Sequence, residues 1–481
     1  MRADYFKAIC ELAQSDKTPD ESIGNKGVGF KSVLQVCQWP EIYSAEEPRE
    51  ERFGGHCFTF ARPEHYGDLP GVDSELAAEL LKDVAPYFLP VPLDDQPSHV
   101  LEFAARGFAS VIRLPIKGES ARGVVVERVA RLVDEDVPVH LFLDRLRRLE
   151  ITKLDATSGN ATTTLLRDAM PIDDPAGDPN QRYEYVHLGD QGQWFITSRR
   201  MTSEAMREAI SDSIAEGQLD ESWRSWSHDA WVAVATRTDG DEIRPRLYTF
   251  LPMEQGATAP LHGHVHAPFS TMLARTSVSE QVVLNARLLD CAAEASTAAV
   301  LTFGEDEDVL PKTALADLVA WDARHHDRVT QGFADAGVEM EDLEVVPIEP
   351  LPDGRRRGAF KTTYRWPYQE LTLLDHERLA RDARAELVSS AITGHRLERL
   401  ESYCRSFFHV GFAPSASLRA DWIESVAQEL RARQSRPRTW DRFYGELASV
   451  FEHDADALHG RSVLLGEDGE LTRARPQLFR A

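Results

Sequence analysis

The stretch Ile23-Gly-Asn-Lys-Gly-Val-Gly-Phe-Lys-Ser32 gathers three glycines, two lysines and a serine. Gly24, Gly27 and Gly29 open backbone conformations closed to other residues and let the chain approach a ligand without a Cβ in the way. Backbone amides at a helix N-terminus are orphan donors at the positive end of the helix dipole, and they attract phosphate. Lys26 and Lys31 bring positive charge to the same place and Ser32 a hydroxyl. The chemistry is that of a phosphate-binding loop. It is also a local exception in an acidic chain: four of the nine lysines, Lys7, Lys17, Lys26 and Lys31, fall in the first 31 residues.

The neighbouring residues narrow the kind of loop. A Walker A loop needs Gly-x4-Gly-Lys-Ser/Thr after a buried strand. Gly24 and Gly29 have that spacing, but Phe30 intrudes before Lys31 and Ser32. Upstream, Tyr5, Phe6, Ile9, Leu12 and Ala13 recur at helical spacing, with Asp4, Lys7, Glu11 and Gln14 opposite. That pattern predicts a helix followed by a polar loop over 14–22, where a Walker loop requires a strand. The dinucleotide fingerprint Gly-x-Gly-x-x-Gly occurs only in reversed order. A glycine-rich surface turn is the plain alternative.

Ile-Gly-x-x-Gly-x-Gly-Phe-x-Ser resembles the glycine box that closes the ATP lid in GHKL (HATPase, Bergerat-fold) ATPases. That superfamily includes gyrase B, MutL, histidine kinases, MORC proteins and heat-shock chaperone ATPases. Gln14-Ser-Asp-Lys-Thr18 resembles the Ser-x-Lys lid start of its MORC and sacsin-like members, and Phe30-Lys-Ser-Val33 is closest to the sacsin-like branch. The resemblance implies ATP as ligand, with Ser15, Lys17, Gly24, Lys26, Gly27, Val28, Gly29, Phe30, Lys31 and Ser32 around it. It also implies Mg²⁺ held by an asparagine, a glutamate that activates water and an aspartate that reads adenine, all upstream of the lid. Residues 1–22 contain neither Glu-x-x-x-Asn nor Asp-x-Gly-x-Gly. The expectation is therefore a chain that starts inside the domain, as a fragment, a mis-started gene or a degenerate descendant, with weak nucleotide binding and impaired hydrolysis.

Elements are needed to hold such a loop. Residues 30–37 read as a short helix stopped by Trp39-Pro40, 42–44 and 57–60 as strands, 75–82 as a helix within the Pro-rich acidic stretch 63–99, and 107–116 as the best strand in this half. Gly107-Phe-Ala-Ser-Val-Ile-Arg-Leu-Pro-Ile116 resembles the GHKL strand after the glycine box. A helix is predicted over 120–135 around Val125, Val129, Leu132 and Val133. Val139–Ile151 resembles the segment that opens the second domain of sacsin-like proteins. Alternation at 183–188, 194–197, 231–235 and 247–251 predicts a sheet, with 171–181 turn-rich and 202–219 helical. Phe250-Leu-Pro-Met253, Ala267-Pro-Phe269, Arg275-Thr276 and Val283-Leu-Asn285 resemble later sacsin-like landmarks. By that match Arg275 is the candidate γ-phosphate contact; a solvated arginine or a structural ion pair is the other reading. Beyond residue 300 helices are predicted at 314–330, 376–408, 416–433 and 440–451, with a terminal hairpin around Asp468-Gly469. The fold class is α+β: a partial GHKL α/β sandwich over 1–118, an α+β transducer-like domain over 119–300 and a mainly helical region over 301–481.

Composition limits the rest. With 481 residues and 42% apolar content the chain suits several globular domains. A net charge of −25 argues against a general nucleic-acid surface. Cys10, Cys37, Cys57, Cys291 and Cys404 are odd in number and scattered, which favours free thiols in a cytoplasmic setting over disulfides or zinc. His262, His264 and His266 alternate, so a strand would put all three on one face, where a structural role competes with metal binding. His325-His-Asp327 reads as a solvated helix face. Arg355-Arg-Arg357, after the Asp353-Gly354 turn, reads as a solvated hairpin tip, with nucleic-acid contact as the alternative. The function expected is an ATP-driven conformational clamp in a chaperone-like or defence-related regulator, with a protein partner or self-association. The rival is a non-catalytic protein-interaction module carrying a relic loop.

Overall fold

The computed structural model describes residues 30–475, apart from residue 48 and the stretches 68–70, 84–88, 134–135, 155–158, 241–242, 272–275, 341–342 and 409–411. The chain is mixed α+β and separates into two units, Met1–Asp134 with Ile214–His228, and Glu135–Ser213 with Asp229–Ala481.

In the first unit, a 3₁₀ helix over Phe30–Gln35 stops before Trp39-Pro40, because proline lacks the amide a helix needs and pushes its predecessor to extended geometry. The chain then enters β1 (Glu41–Ser44), all four residues of which are buried. Strands β2 (Phe58–Phe60), β3 (Pro90–Pro92) and β4 (Ser110–Arg113) complete an antiparallel sheet in the order β3-β2-β1-β4. Glu41 faces Arg113 across the β1–β4 ladder, and Arg113 Nη1 reaches both carboxylate oxygens at 2.7 Å. Three helices, α1 (Ser74–Asp83), α2 (Ser98–Ala105) and α3 (Glu119–Leu132), accompany the sheet. The core is small: Tyr43, Phe53, Val100 and Ala104 form one cluster, Ala61, Tyr66 and Ala77 another. The expected amphipathic helix is present as α3, yet only Ala121 of it is buried.

The second unit opens with the hairpin β5 (Arg148–Lys153) and β6 (Ala161–Leu166). A seven-stranded sheet follows from β7 (Asp168–Ile172), β8 (Gln181–His187), β9 (Gln193–Met201), β10 (Ala230–Arg237), β11 (Arg246–Thr249), β12 (Leu251–Pro252) and β13 (His264–His266). Its order is β12-β11-β13-β10-β9-β8-β7, antiparallel except where β13 runs parallel to β11. Strand β7 was not expected. It lies at the sheet edge, where Pro171 is tolerated because no inner ladder needs its amide.

Helix α4 (Ser203–Ala215) links β9 towards β10. Helix α5 (Val283–Phe303) covers one sheet face: Thr197 Oγ1 donates to the Ala295 carbonyl at 2.9 Å, and the Tyr183 ring stands edge-on to Phe303 at 4.7 Å. Leu141, Phe142, Trp194, Ile196, Ala233 and Ala235 pack on the opposite face.

The helical predictions for the remainder are half right. Residues 314–330 are not one helix but α6 (Lys312–Val319), a 3₁₀ turn at Ala323–His325 and α7 (His326–Asp335). The break arises because the Asp322 amide donates to the distant Pro260 carbonyl at 2.7 Å instead of to the preceding turn. After the pair β14 (Glu344–Pro347) and β15 (Arg357–Ala359), the expected 376–408 helix divides into α8 (His376–Ala383), α9 (Gly394–Tyr403) and a π-helical turn at Cys404–Phe408. Arg384 in the left-handed region ends α8, and Leu387 and Val388 then run as extended bridges to Tyr364 and Ile348. Helices α10 (Ala416–Ala432) and α11 (Pro437–Val450) and the hairpin β16 (Ser462–Leu465) and β17 (Leu471–Arg473) close the chain. They pack around Trp366, Trp422, Ile423, Trp440 and Phe443. No helix among the described residues is long and apolar enough to cross a membrane. Cys37, Cys57, Cys291 and Cys404 are free thiols.

Candidate functional site

The glycine box runs directly into the Phe30–Gln35 turn, and that turn is stapled to the far end of the sheet. The Lys117 ammonium donates to the Leu34 carbonyl at 3.0 Å and the Lys117 amide to the Val36 carbonyl at 3.1 Å. Cys37 pairs with Ile116 in an isolated antiparallel bridge, and its fully buried thiol is pushed up by burial. Both tethers lie just beyond β4, so the exit of the loop is anchored to the strand that resembles the one after the glycine box. Ser32 is exposed on this turn. Ser15, Lys17, Gly24, Lys26, Gly27, Val28 and Gly29 lie outside the described residues, as does Arg275; Phe30 and Lys31 open the described turn. Lys117 is a residue that sequence reasoning missed, for nothing in its immediate neighbours marks it.

Two of the three alternating histidines, His264 and His266, belong to the aromatic core of the second unit. Register sets His264 opposite Ala235 and His266 opposite Ala233, and the two alanines leave room for rings above them. His264 stacks on Trp194 at 4.9 Å, and His266 stacks on Phe142 at 5.1 Å. Burial, reinforced by the Arg246 charge, pulls His264 down to about 3; burial takes His266 to about 4. Both are neutral, flat packing blocks at ordinary pH. Among the described residues no group of three or more His, Cys, Asp or Glu side chains is disposed to hold a metal ion.

His262 differs from its neighbours. It is 3% exposed, and its Nδ1 lies 3.2 Å from Asp317 Oδ1, off hydrogen-bond alignment. Gly263 fixes this approach, since a Cβ there would stand 2.4 Å from the Ala235 carbonyl oxygen. Asp317 Oδ2 in turn accepts from Arg396 Nε at 2.8 Å, in a pair whose side chains are each 1% exposed. The signal for Asp317 was visible in sequence: one carboxylate inside the apolar run Ala314-Leu-Ala-Asp-Leu-Val319. A lone acid in a buried helix calls for a charged partner.

Two surface expectations are corrected, the second only in part. His325 is 3% exposed with Nε2 3.4 Å from Glu280, and His326 stacks on Phe407 at 3.5 Å while Nδ1 meets Tyr403 Oη at 3.0 Å. Apolar rings draw the pair inward, and burial lowers both imidazoles. The Arg355–Arg357 hairpin exists with Arg355 and Arg356 exposed, as expected, and Arg357 drawn inside. Arg357 is buried, with Nε donating to the Gly304 carbonyl at 2.6 Å and Nη1 3.2 Å from Glu307. Arg356 meets Glu307 at 3.1 Å; Arg355 meets Glu344 and Glu386 at 3.1 and 2.9 Å.

Comparison with family models, with characterised proteins and with solved structures yields no match to this chain. The fold is that of a two-unit α+β protein.

Proposed function

We propose that this chain is a nucleotide-binding protein of the GHKL type, of the sacsin-like branch, in which ATP acts as a conformational clamp. The observation that carries the reading is the glycine box Gly24–Gly29 leading into a turn tethered through Lys117 and Cys37 to the end of β4. A cradle of backbone amides can hold phosphate tightly only if its exit is fixed, because ordering a free loop opposes binding. The antiparallel sheet behind the turn and the α+β unit beyond it support the same reading, as a partial GHKL sandwich followed by a transducer-like domain.

In this mechanism the amides of Gly27, Val28 and Gly29 and the ammonium groups of Lys26 and Lys31 receive the phosphates. Nucleotide binds the ordered form of the lid better than the open form, and that differential shifts the population and alters the surface offered to a protein partner. Mg²⁺, when bound, neutralises triphosphate charge; the described residues supply no ligand set for it, and no step here depends on it. A cytoplasmic, chaperone-like or defence-related role belongs to the same proposal.

Titration calorimetry with ATP tests it. The unaltered chain is expected to release or absorb saturable heat, and Gly27→Asp to lose it, since a side chain and a negative charge would occupy the phosphate position. Absence of saturable heat from the unaltered chain overturns the proposal, as does equal binding by the variant.

A further inference from the structure

The second unit holds a cleft of about 570 Å³ that the nucleotide reading does not use. Arg244, Arg246, His262, Asp322, Arg399 and Ser402 form much of its wall. We propose that this cleft binds a small organic oxyanion, a phosphate monoester or a carboxylate, between His262 and Arg399.

The first ground is His262. Its imidazole is buried, yet neither ring nitrogen makes a hydrogen bond. Buried polar atoms are nearly always satisfied, so an orphaned ring at the wall of a cleft marks a place where a partner belongs. The Nδ1 edge faces Asp317, already held by Arg396; Nε2 has no hydrogen-bond partner, and the residue lines the cleft. With its proton on Nε2 the ring donates to an oxyanion.

Arg399 is the second ground, and it is independent of the first. Among the described residues only its Nη1 is engaged, with the Pro260 carbonyl at 2.9 Å and Asp322 Oδ1 at 3.2 Å. Those contacts orient the guanidinium and leave its Nε and Nη2 edge as a planar fork for two oxygens.

The charge of the wall allows it. Arg244 lies beside Asp136, with Nε 3.1 Å from Oδ2, and Arg246 donates to the Gln255 carbonyl at 3.0 Å. Three arginines line the wall against Asp322 and Glu398, with Asp136 beside Arg244, so the wall is near neutral rather than acidic in a chain of net charge −25.

The test is a titration of the full chain labelled with ¹⁵N-histidine, with the His262 resonance assigned by its loss in His262→Gln. Inorganic phosphate is the first probe and acetate the second. The His262 signal is expected to shift saturably with at least one of them, and the anion that moves it identifies the phosphate or the carboxylate class. Arg399→Gln is expected to weaken that response by about tenfold or more, and Arg399→Lys by less, because it keeps the charge and loses the fork. Preservation of the remaining histidine signals confirms that the variants fold. A His262 resonance unmoved by both anions overturns the proposal. So does a response of equal midpoint in Arg399→Gln. Because the signal belongs to His262, failure of ATP binding at the glycine box leaves the outcome readable.

Discussion

The two sheets solve the same problem at different depths. Around the four-stranded sheet, helix α3 buries one residue, Ala121. Around the seven-stranded sheet, α5 buries thirteen of its 21 residues. Ion pairs follow the same division. Glu41 pairs with an Arg113 whose side chain is 39% exposed, whereas Asp317 and Arg396 have almost no contact with water. A pair within reach of water is partly screened, whereas a dry pair leaves an uncompensated charge when it is broken. Asp317→Ala should therefore cost about 3–5 kcal/mol in urea unfolding of the second unit. Arg113→Ala should cost less, about 1–3 kcal/mol, because the buried Glu41 carboxylate loses its cation but keeps the Tyr43 hydroxyl at 2.8 Å. Equal losses for the two variants would break the comparison.

The histidine rings sharpen it further, since a dry core must keep them neutral. His264 and His266 fall from the ordinary 6.5 to about 3 and about 4. With folded values below the unfolded value, the unfolded chain takes up protons first as pH drops. Stability is whole above about 6.5 and declines from there toward 4, by up to ~1.4 kcal/mol per pH unit for each ring. His264→Phe keeps a flat ring beside Trp194 and removes one titrating group. Urea midpoints at about pH 7 and about pH 5 should converge in this variant relative to the unaltered chain. An unchanged gap between them would mean that His264 does not titrate against folding.

Strongly periodic segments were legible from sequence because their period is a local property. The predicted 416–433 and 202–219 helices appear as Ala416–Ala432 and Ser203–Ala215, and the strand predictions at 183–188 and 231–235 as β8 and β10. What escaped was decided at a distance. The break after α6 depends on Pro260, the bridges at Leu387 and Val388 on Tyr364 and Ile348, and the burial of Arg357 on Glu307. Prolines hid β3 and β7, both at sheet edges where they do no harm. The glycine-rich run 24–29 lies outside the described residues, and the tether of the turn after it to Lys117 needed the sheet to bring residues 34 and 117 together. The cleft was less legible still: His262 read as one of an alternating trio, and only the fold separates it from its two stacked neighbours.

The smallest effect tests the shallow side of the comparison. Of the apolar stripe predicted at Val125, Val129, Leu132 and Val133, Val129 and Val133 are 39% and 36% exposed. Val129→Ser removes little buried area, and serine and valine have similar helix propensities. Unfolding of the first unit should shift by no more than about 0.5 kcal/mol. A loss well above 1 kcal/mol would show that something covers the stripe in solution. If the cover is a second copy of the chain, the loss must grow with protein concentration, since a partner that binds only the folded state stabilises it by mass action. A loss independent of concentration would instead place the cover within the chain and make the first unit as deeply packed as the second.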